Sequence, residues 1–397
     1  MAQFGDFTVD RNSTKYVLGS GGTIISYATD EPAFEFNADG SYKGLLVEPA
    51  ATNLVTYSED FTDASWNTTT GSELADQATS PDGNVSADTL VEPNSGTSRY
   101  EAFYTSNVVS GTSYTFSVFA KEVQSSPKRY LFLATGSSKF GSQAVYGFDL
   151  SDGSNTYDNG NGDGFTVENY GNGWYRISIS DTATGTGGNS FIIYGSDSPT
   201  SSANYTCSGE SIAYVWGAQV ETGPIATSYI PTSGSTVTRV KDQIALESAS
   251  SLIGQTEGTI YIEVDWRLAT GTTQNLLNLN DGTGSNRFFI QKTTANFLIM
   301  FAQANSVVLT SQGVDSSGFS GIQKIAFAYA DSDFELYRNG SSISSDTSGS
   351  LAALATLTDI DLGQNRDASA QANMHIRAFA LYPKRLSDAE AQALTTL

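Results

Sequence analysis

An all-β chain built from two β-sandwiches is the fold class this sequence predicts, and three observations predict it. Short apolar runs alternate with polar residues at a period of two. The runs are separated by clusters of Gly, Asn and Ser, which end strands and start turns. The 397 residues are too many for one ordinary domain and comfortable for two, each able to bury a core. Charged residues make up only 16% of the chain, so long solvated helices are not expected.

Taken in order, residues 1–55 form an extended, Gly-rich opening. Ile24, Ile25, Phe34, Phe36, Leu45, Leu46 and Val47 are apolar there, yet so short and loop-rich a segment cannot enclose a core. It is expected to dock on another surface, either a neighbouring subunit or the chain's own modules. Residues 56–222 read as the first sandwich, with period-two runs at Tyr114–Val118, Trp174–Ile179 and Ser211–Glu221. In the last of these, strict alternation places Ile212, Tyr214, Trp216, Ala218 and Val220 on one face, with Val215 as the large apolar exception. Residues 223–257, with Pro224, Pro231 and Gly234, lose the strand pattern and are expected to connect the modules.

Residues 258–397 read as a second sandwich. Its first run places Ile260, Ile262, Val264 and Trp266 on a shared face. Asn339-Gly340 is the strongest hairpin turn signal in the chain. Ser387-Asp388-Ala389-Glu390 is a capping box for a short C-terminal helix that Leu386 can staple through Ala391, expected to close an edge of this sandwich.

Forty-two acidic against twenty basic residues give a net charge of −22, which repels phosphate backbones and anionic lipid. Nucleic-acid partners are therefore not expected. No apolar run is long enough for a membrane span, and residues 1–6 lack a basic and apolar leader pattern, so neither membrane insertion nor Sec export is expected. One cysteine, Cys207, excludes an intrachain disulfide framework. It cannot build a closed zinc site with the single histidine, His375, without unusual carboxylate ligation.

Two stretches carry a resemblance. Lys43-Gly44-Leu45-Leu46-Val47-Glu48-Pro49-Ala50-Ala51-Thr52-Asn53-Leu54, continued by Tyr57–Phe61 and Trp66, resembles a segment of phage tail and virion structural proteins. Trp216-Gly217-Ala218-Gln219-Val220-Glu221, followed by Ala226–Thr232 and Thr238-Arg239, does the same. Between them, Ala87–Leu90, Tyr114–Val118 and Gly173–Arg176 look like strands of a carbohydrate-binding-module jelly roll. The C-terminal part, through Leu336–Gly340, Arg377–Tyr382 and Leu386–Glu390, resembles a concanavalin A-like (laminin G-like) sandwich. The resemblance implies a virion structural protein in a phage particle, tail-associated as a fibre or tail-tip adhesin, with other virion subunits as partners and a host-surface glycan as ligand. By analogy with phage appendages it implies a homo-oligomer, a trimer first. The alternatives are a capsid decoration protein without ligand and a glycoside hydrolase.

For glycan contacts the polar loop residues beside the second sandwich come first: Asn280, Asp281, Asn286, Arg287, Asn365 and Arg366, which offer both donors and acceptors. Trp174, Trp216 and Trp266 fall in strands and are expected to pack in cores instead. No cofactor is expected. The oxygen-rich loop from Asp158 to Gly164, with Asp158, Asn161 and Asp163, fits either a plain β-turn or a structural calcium site, but not an EF-hand, because Tyr170 stands where a bidentate Glu is needed. Catalysis is not expected: His375 would have to serve as base alone. Glu263-Val264-Asp265 also lacks the third carboxylate of a glucanase strand.

Overall fold

The computed structural model describes residues 4–124, 127–266 and 272–397. Every strand pairing in it is antiparallel, and four large sheets form two sandwiches. In the first, a six-stranded sheet ordered Ser154–Asp158, Val145–Asp149, Tyr130–Thr135, Gly187–Ser196, Glu101–Val108 and Trp66–Thr70 faces a second one. That partner is ordered Gly164–Gly171, Trp174–Thr182, Ser113–Glu122, Ser211–Thr222, Val85–Val91 and Ser72–Thr79. Phe116, Val118, Leu131, Leu133, Ile177 and Ile193 fill the space between them.

The strand Ser211–Thr222 departs from strict alternation. Its pairing with Ser113–Glu122 slips between Ser117 and Phe119, and Gly217 there has a φ of 62°. This β-bulge changes the phase of the strand. Ala213 and Val215 before it and Ala218 and Val220 after it all point into the core, whereas Trp216 points out on the opposite face. Val215 is thus no exception, and Trp216 does not share a face with Val220. A Cβ on residue 217 would stand 2.8 Å from the Phe119 ring, so the bulge needs glycine for space as well as for φ. On that outer face Trp216 packs edge-on against Phe119 and tilted against Tyr229, in one cluster with Leu18 and Ile24 from the N-terminal hairpin.

The second sandwich has two seven-stranded sheets, and residues 1–55 contribute to both. One sheet runs Thr8–Asp10, Gln243–Leu246, Asp359–Leu362, Gln274–Asn280, Arg287–Lys292, Phe297–Ala304, Val307–Asp315. The other runs Ser341–Asp346, Asp333–Arg338, Gly321–Ala330, Glu257–Trp266, Met374–Tyr382, Tyr42–Val47, Phe34–Phe36. Ile260, Ile262, Val264 and Trp266 do share the core face, and Asn339-Gly340 turns the hairpin with φ of 46° and 81°. The capping box forms at the helix Asp388–Thr395, and Leu386 and Ala391 lie in one cluster with Tyr261, Ala328 and Tyr337. The helix therefore covers the outer face of a sheet and does not close an edge.

The apolar residues of the opening segment are covered by the chain itself. Leu45 and Val47 lie in the second core with Phe34 packed against it, and Leu46 meets Val17 and Ala33 on the other side of the sheet. Ile24 joins the first sandwich, Phe36 packs on Tyr42, and Ile25 alone of the seven stays exposed. Of the two surfaces expected to receive this segment, a neighbouring subunit or the chain's own modules, these contacts are with the chain's own modules. The stretch 223–257 also carries strands: Val237–Arg239 pairs with Ala51–Asn53, and Gln243–Leu246 lies inside the second sandwich.

Where these segments meet, five ionised side chains are almost wholly buried. Asp242 accepts from Arg11 at 2.9 Å and from Lys15 at 2.6 Å, Lys15 reaches Glu48 at 3.0 Å, and Arg239 stands 3.5 Å from Glu48. All five are at most 2% exposed. Further donors go to backbone, Lys15 to the Leu46 carbonyl, Arg11 to Ser13 and Ala28, Arg239 to Pro49, while Nε of Arg239 has no hydrogen-bond partner among the described residues. Burial alone would raise the Glu48 carboxyl, but Arg239 and Lys15 hold it far below the usual carboxylate range.

Removing Asp242 strands two buried cations, and Asp242→Ala is expected to cost about 3–5 kcal/mol. Lys384→Ala, which breaks an exposed 3.4 Å pair with Glu390, should stay within about 0.5 kcal/mol. Chemical denaturation midpoints of the two variants measure the contrast. Equal midpoints would refute the structural weight given to the cluster.

Candidate functional site

The candidate site lies on the outer face of the sheet that begins with Thr8–Asp10. Period-two alternation puts Leu277, Leu279, Ile360 and Leu362 in the core and turns Asn278, Asn280, Asp359 and Asp361 outward. Register then brings residues from distant segments into one row across the strands: Thr8, Ala245, Asp361, Asn278, Phe289 and Phe301. The adjoining row holds Asp359, Asn280, Arg287 and Gln303.

The loop after Leu362 folds back over this face. Its Ala370 carbonyl accepts from the Asn275 N–H at 2.8 Å, its Ala368 carbonyl from Lys241 at 2.5 Å, and Arg366 donates its Nε to the Gly282 carbonyl. Between loop and sheet is a cavity of about 460 Å³, large enough for a sugar residue or two, lined by Asp10, Glu247, Asn280, Asp359, Asp361, Gln364 and Arg366 among others.

Asp361 is its electrostatic centre. Asn278 and Asn280 both donate to its Oδ2, at 2.9 and 2.8 Å, yet burial outweighs them and pushes the carboxyl up to about 6. Two acceptors find no hydrogen-bond donor among the described residues: Oδ1 of the fully buried Asn278, and Oε1 of Gln364, which lines the cavity at 3% exposure. An unsatisfied buried acceptor costs about 1–3 kcal/mol, which a donor brought by a ligand would relieve.

Of the six residues expected to contact glycan, Asn280 and Arg366 line this cavity. Asp281 and Asn286 bond to each other at 2.8 Å, and Asn286 also accepts from the N–H groups of Asn305 and Ala355. They build a turn. Burial would raise the Asp281 carboxyl, but Thr283 and Asn286 hold it below its ordinary value. Arg287 lies over the stacked rings of Phe289 and Phe301, and Asn365 closes its own loop onto Ser369. The residues missed are Asn278, Asp359, Asp361 and Gln364. Their signal was present: polar side chains at every second position of Asn278-Leu279-Asn280 and of Asp359-Ile360-Asp361.

The other constellations resolve into structural roles. Asp158 accepts from the Gly160 N–H, Asp163 from the Thr182 hydroxyl, and Asn161 donates to the Gln143 carbonyl, so these three side chains engage separate partners and do not converge on one point. Among the described residues no group of three His, Cys, Asp or Glu is placed to hold a metal ion. His375 is fully buried and hydrogen-bonds the Glu35 carboxylate. All four tryptophans are buried, so none offers an open face to a sugar. A second cavity, about 360 Å³, is flanked by Glu59, Asp60, Asp76 and Asp88 on the first sandwich. There Asp88 already accepts from two backbone N–H groups and Glu59 from Tyr229.

Fold and cavity together define an all-β protein of two sandwiches with a polar, ligand-sized recess on one sheet face. No protein-family model matches the chain, and no curated protein matches its sequence. Solved structures similar to part of it include the Ruminococcus gnavus IT-sialidase CBM40, at 18% identity over 37% of this chain and 86% of that one, with a TM-score of 0.33. The binding domain of botulinum neurotoxin DC in complex with rat synaptotagmin II matches at 14% identity over 39% of this chain and 40% of that one, TM-score 0.32. These likenesses concern fold alone.

Stability should respond to pH through these carboxyls. Burial raises Asp88, Asp181 and Asp361 from an ordinary 3.8 to about 6, so the folded chain takes up their protons before the unfolded chain does. Their contribution to stability therefore rises as pH falls from about 7 to 4. Glu92 behaves oppositely. Burial would raise it, but bonds from Arg129 and Tyr205 bring it down to about 2, so its stabilisation is lost below pH 4 as the folded carboxyl protonates. A melting temperature that climbs by a few degrees from pH 7 to 5 and falls again below 4 is expected, with a smaller climb in Asp361→Asn. A steady fall from pH 7 downward would contradict the assignment.

Proposed function

We propose that this chain is a non-catalytic structural protein of a phage virion, carried on the tail as a fibre or tail-tip adhesin, and that the recess on its second sandwich binds host-surface glycan. The observation that carries the binding half is the Gln364 acceptor, buried without a donor among the described residues in a cavity whose charged and amide lining is carboxylates, amides and one guanidinium. Sugar hydroxyls both donate and accept, and a recess that mixes such groups suits them. The virion half is supported by the resemblance of Lys43–Leu54 and Trp216–Glu221 to virion proteins. A shallow site of this kind binds weakly alone, and display in several copies on a particle, a trimer first, would raise its effect through avidity.

The test is a glycan array probed with the full chain, with reducing-sugar release assayed alongside. Retention without release is expected, and Glu247→Ala, at an exposed position in the wall of the recess, should weaken it by about tenfold. Release of reducing sugar would make the protein a hydrolase. Retention of no glycan, together with antibody labelling of particles on the capsid shell, would favour a decoration role.

A further inference from the structure

Resting on that reading, the charge balance of the recess narrows the ligand class. Asp10, Glu247, Asp359 and Asp361 supply four carboxylates to its wall, against the single cation Arg366, whose Nε is already given to the Gly282 carbonyl. Gln243 donates to Asp10 at 3.3 Å, which leaves that carboxylate further lone pairs. The acceptor of Gln364, buried and without a donor among the described residues, adds a neutral oxygen with the same demand. A group that only donates and carries positive charge suits such a wall, and an ammonium has three donors and no acceptor. A carboxylated sugar would set its charge against this wall with one guanidinium to meet it.

We infer that the recess takes a saccharide bearing a free amino group, in preference to its N-acetylated form, and rejects carboxylated sugars. The experiment is isothermal titration of the full chain at pH 6 with glucosamine trisaccharide, N-acetylglucosamine trisaccharide and sialyllactose. The expected order is the amine at least about tenfold tighter than the acetylated form, since a charged hydrogen bond is roughly twice as strong as a neutral one, with no heat from sialyllactose.

The double variant Asp10→Asn/Glu247→Gln, at two exposed positions, should lose most of the preference and keep its melting temperature. Because a chain of charge −22 attracts any cation diffusely, a preference that survives in the double variant but vanishes with added salt would overturn the inference. So would equal binding of the amine and its acetylated form, or tighter binding of sialyllactose, and either result would leave glycan binding standing. Binding of no sugar on the panel or on a glycan array would remove the proposed function and this inference with it.

Discussion

The buried cluster of Arg11, Lys15, Glu48, Arg239 and Asp242 is the constraint on which the rest of this architecture depends. Three cations and two carboxylates removed from water are not a source of stability by themselves, because their desolvation offsets most of their attraction. Their effect is on register. Glu48 is shared between Lys15 and Arg239, from two segments, and Asp242 takes both Arg11 and Lys15, so residues 11–15, 46–49 and 239–242 are tied to one another. Glu48 also accepts from the Ser228 N–H at 2.7 Å, which couples the cluster to the loop lying over Trp216. The opening segment is thereby fixed against both sandwiches, and the Thr8–Asp10 strand that borders the recess is held in place with it.

The stretches Lys43–Leu54 and Trp216–Arg239 meet at this joint. Asn53 donates to the carbonyls of Ala218 and Ile230 and accepts from the N–H groups of Val55 and Val220. Gln219 accepts from the Ile230 N–H and donates to Glu221, which in turn accepts from Thr227 twice. Such long-range amide and carboxylate bonds replace a sheet ladder where the chain is irregular, because backbone groups buried there still need partners. These side chains therefore have a mechanical role in the fold, independent of any ligand.

Much of the fold was legible because alternation and turn chemistry are local. The strand from Thr259 to Trp266, the Asn339-Gly340 hairpin and the Ser387 capping box each need only their own few residues to be recognised. Partnership is not local. Nothing near Leu45 reveals that it pairs with Ile376, so a segment too short for its own core looked like a docking arm when it held three strands of the second sandwich. The bulge at Gly217 was illegible for a related reason, since a glycine marks a bulge only once the opposing Phe119 is known. At the recess, Asn280 and Arg366 were found through loop composition. Asp361 and Asn278 were passed over because strand residues read as scaffold until register places them in the same row.

Pairing between strands from opposite ends of the sequence also bears on how the molecule is made. Glu35 and His375, bonded in the core, are 340 residues apart. During synthesis at about 5–20 residues per second, the early strands wait on the order of half a minute before their partner strand leaves the ribosome. The first sandwich, whose strands are all encoded in between, can fold during that interval. Phe34, Leu45 and Val47 meanwhile remain uncovered, and the high negative charge of the chain is then a safeguard against self-association as well as a property of its finished surface.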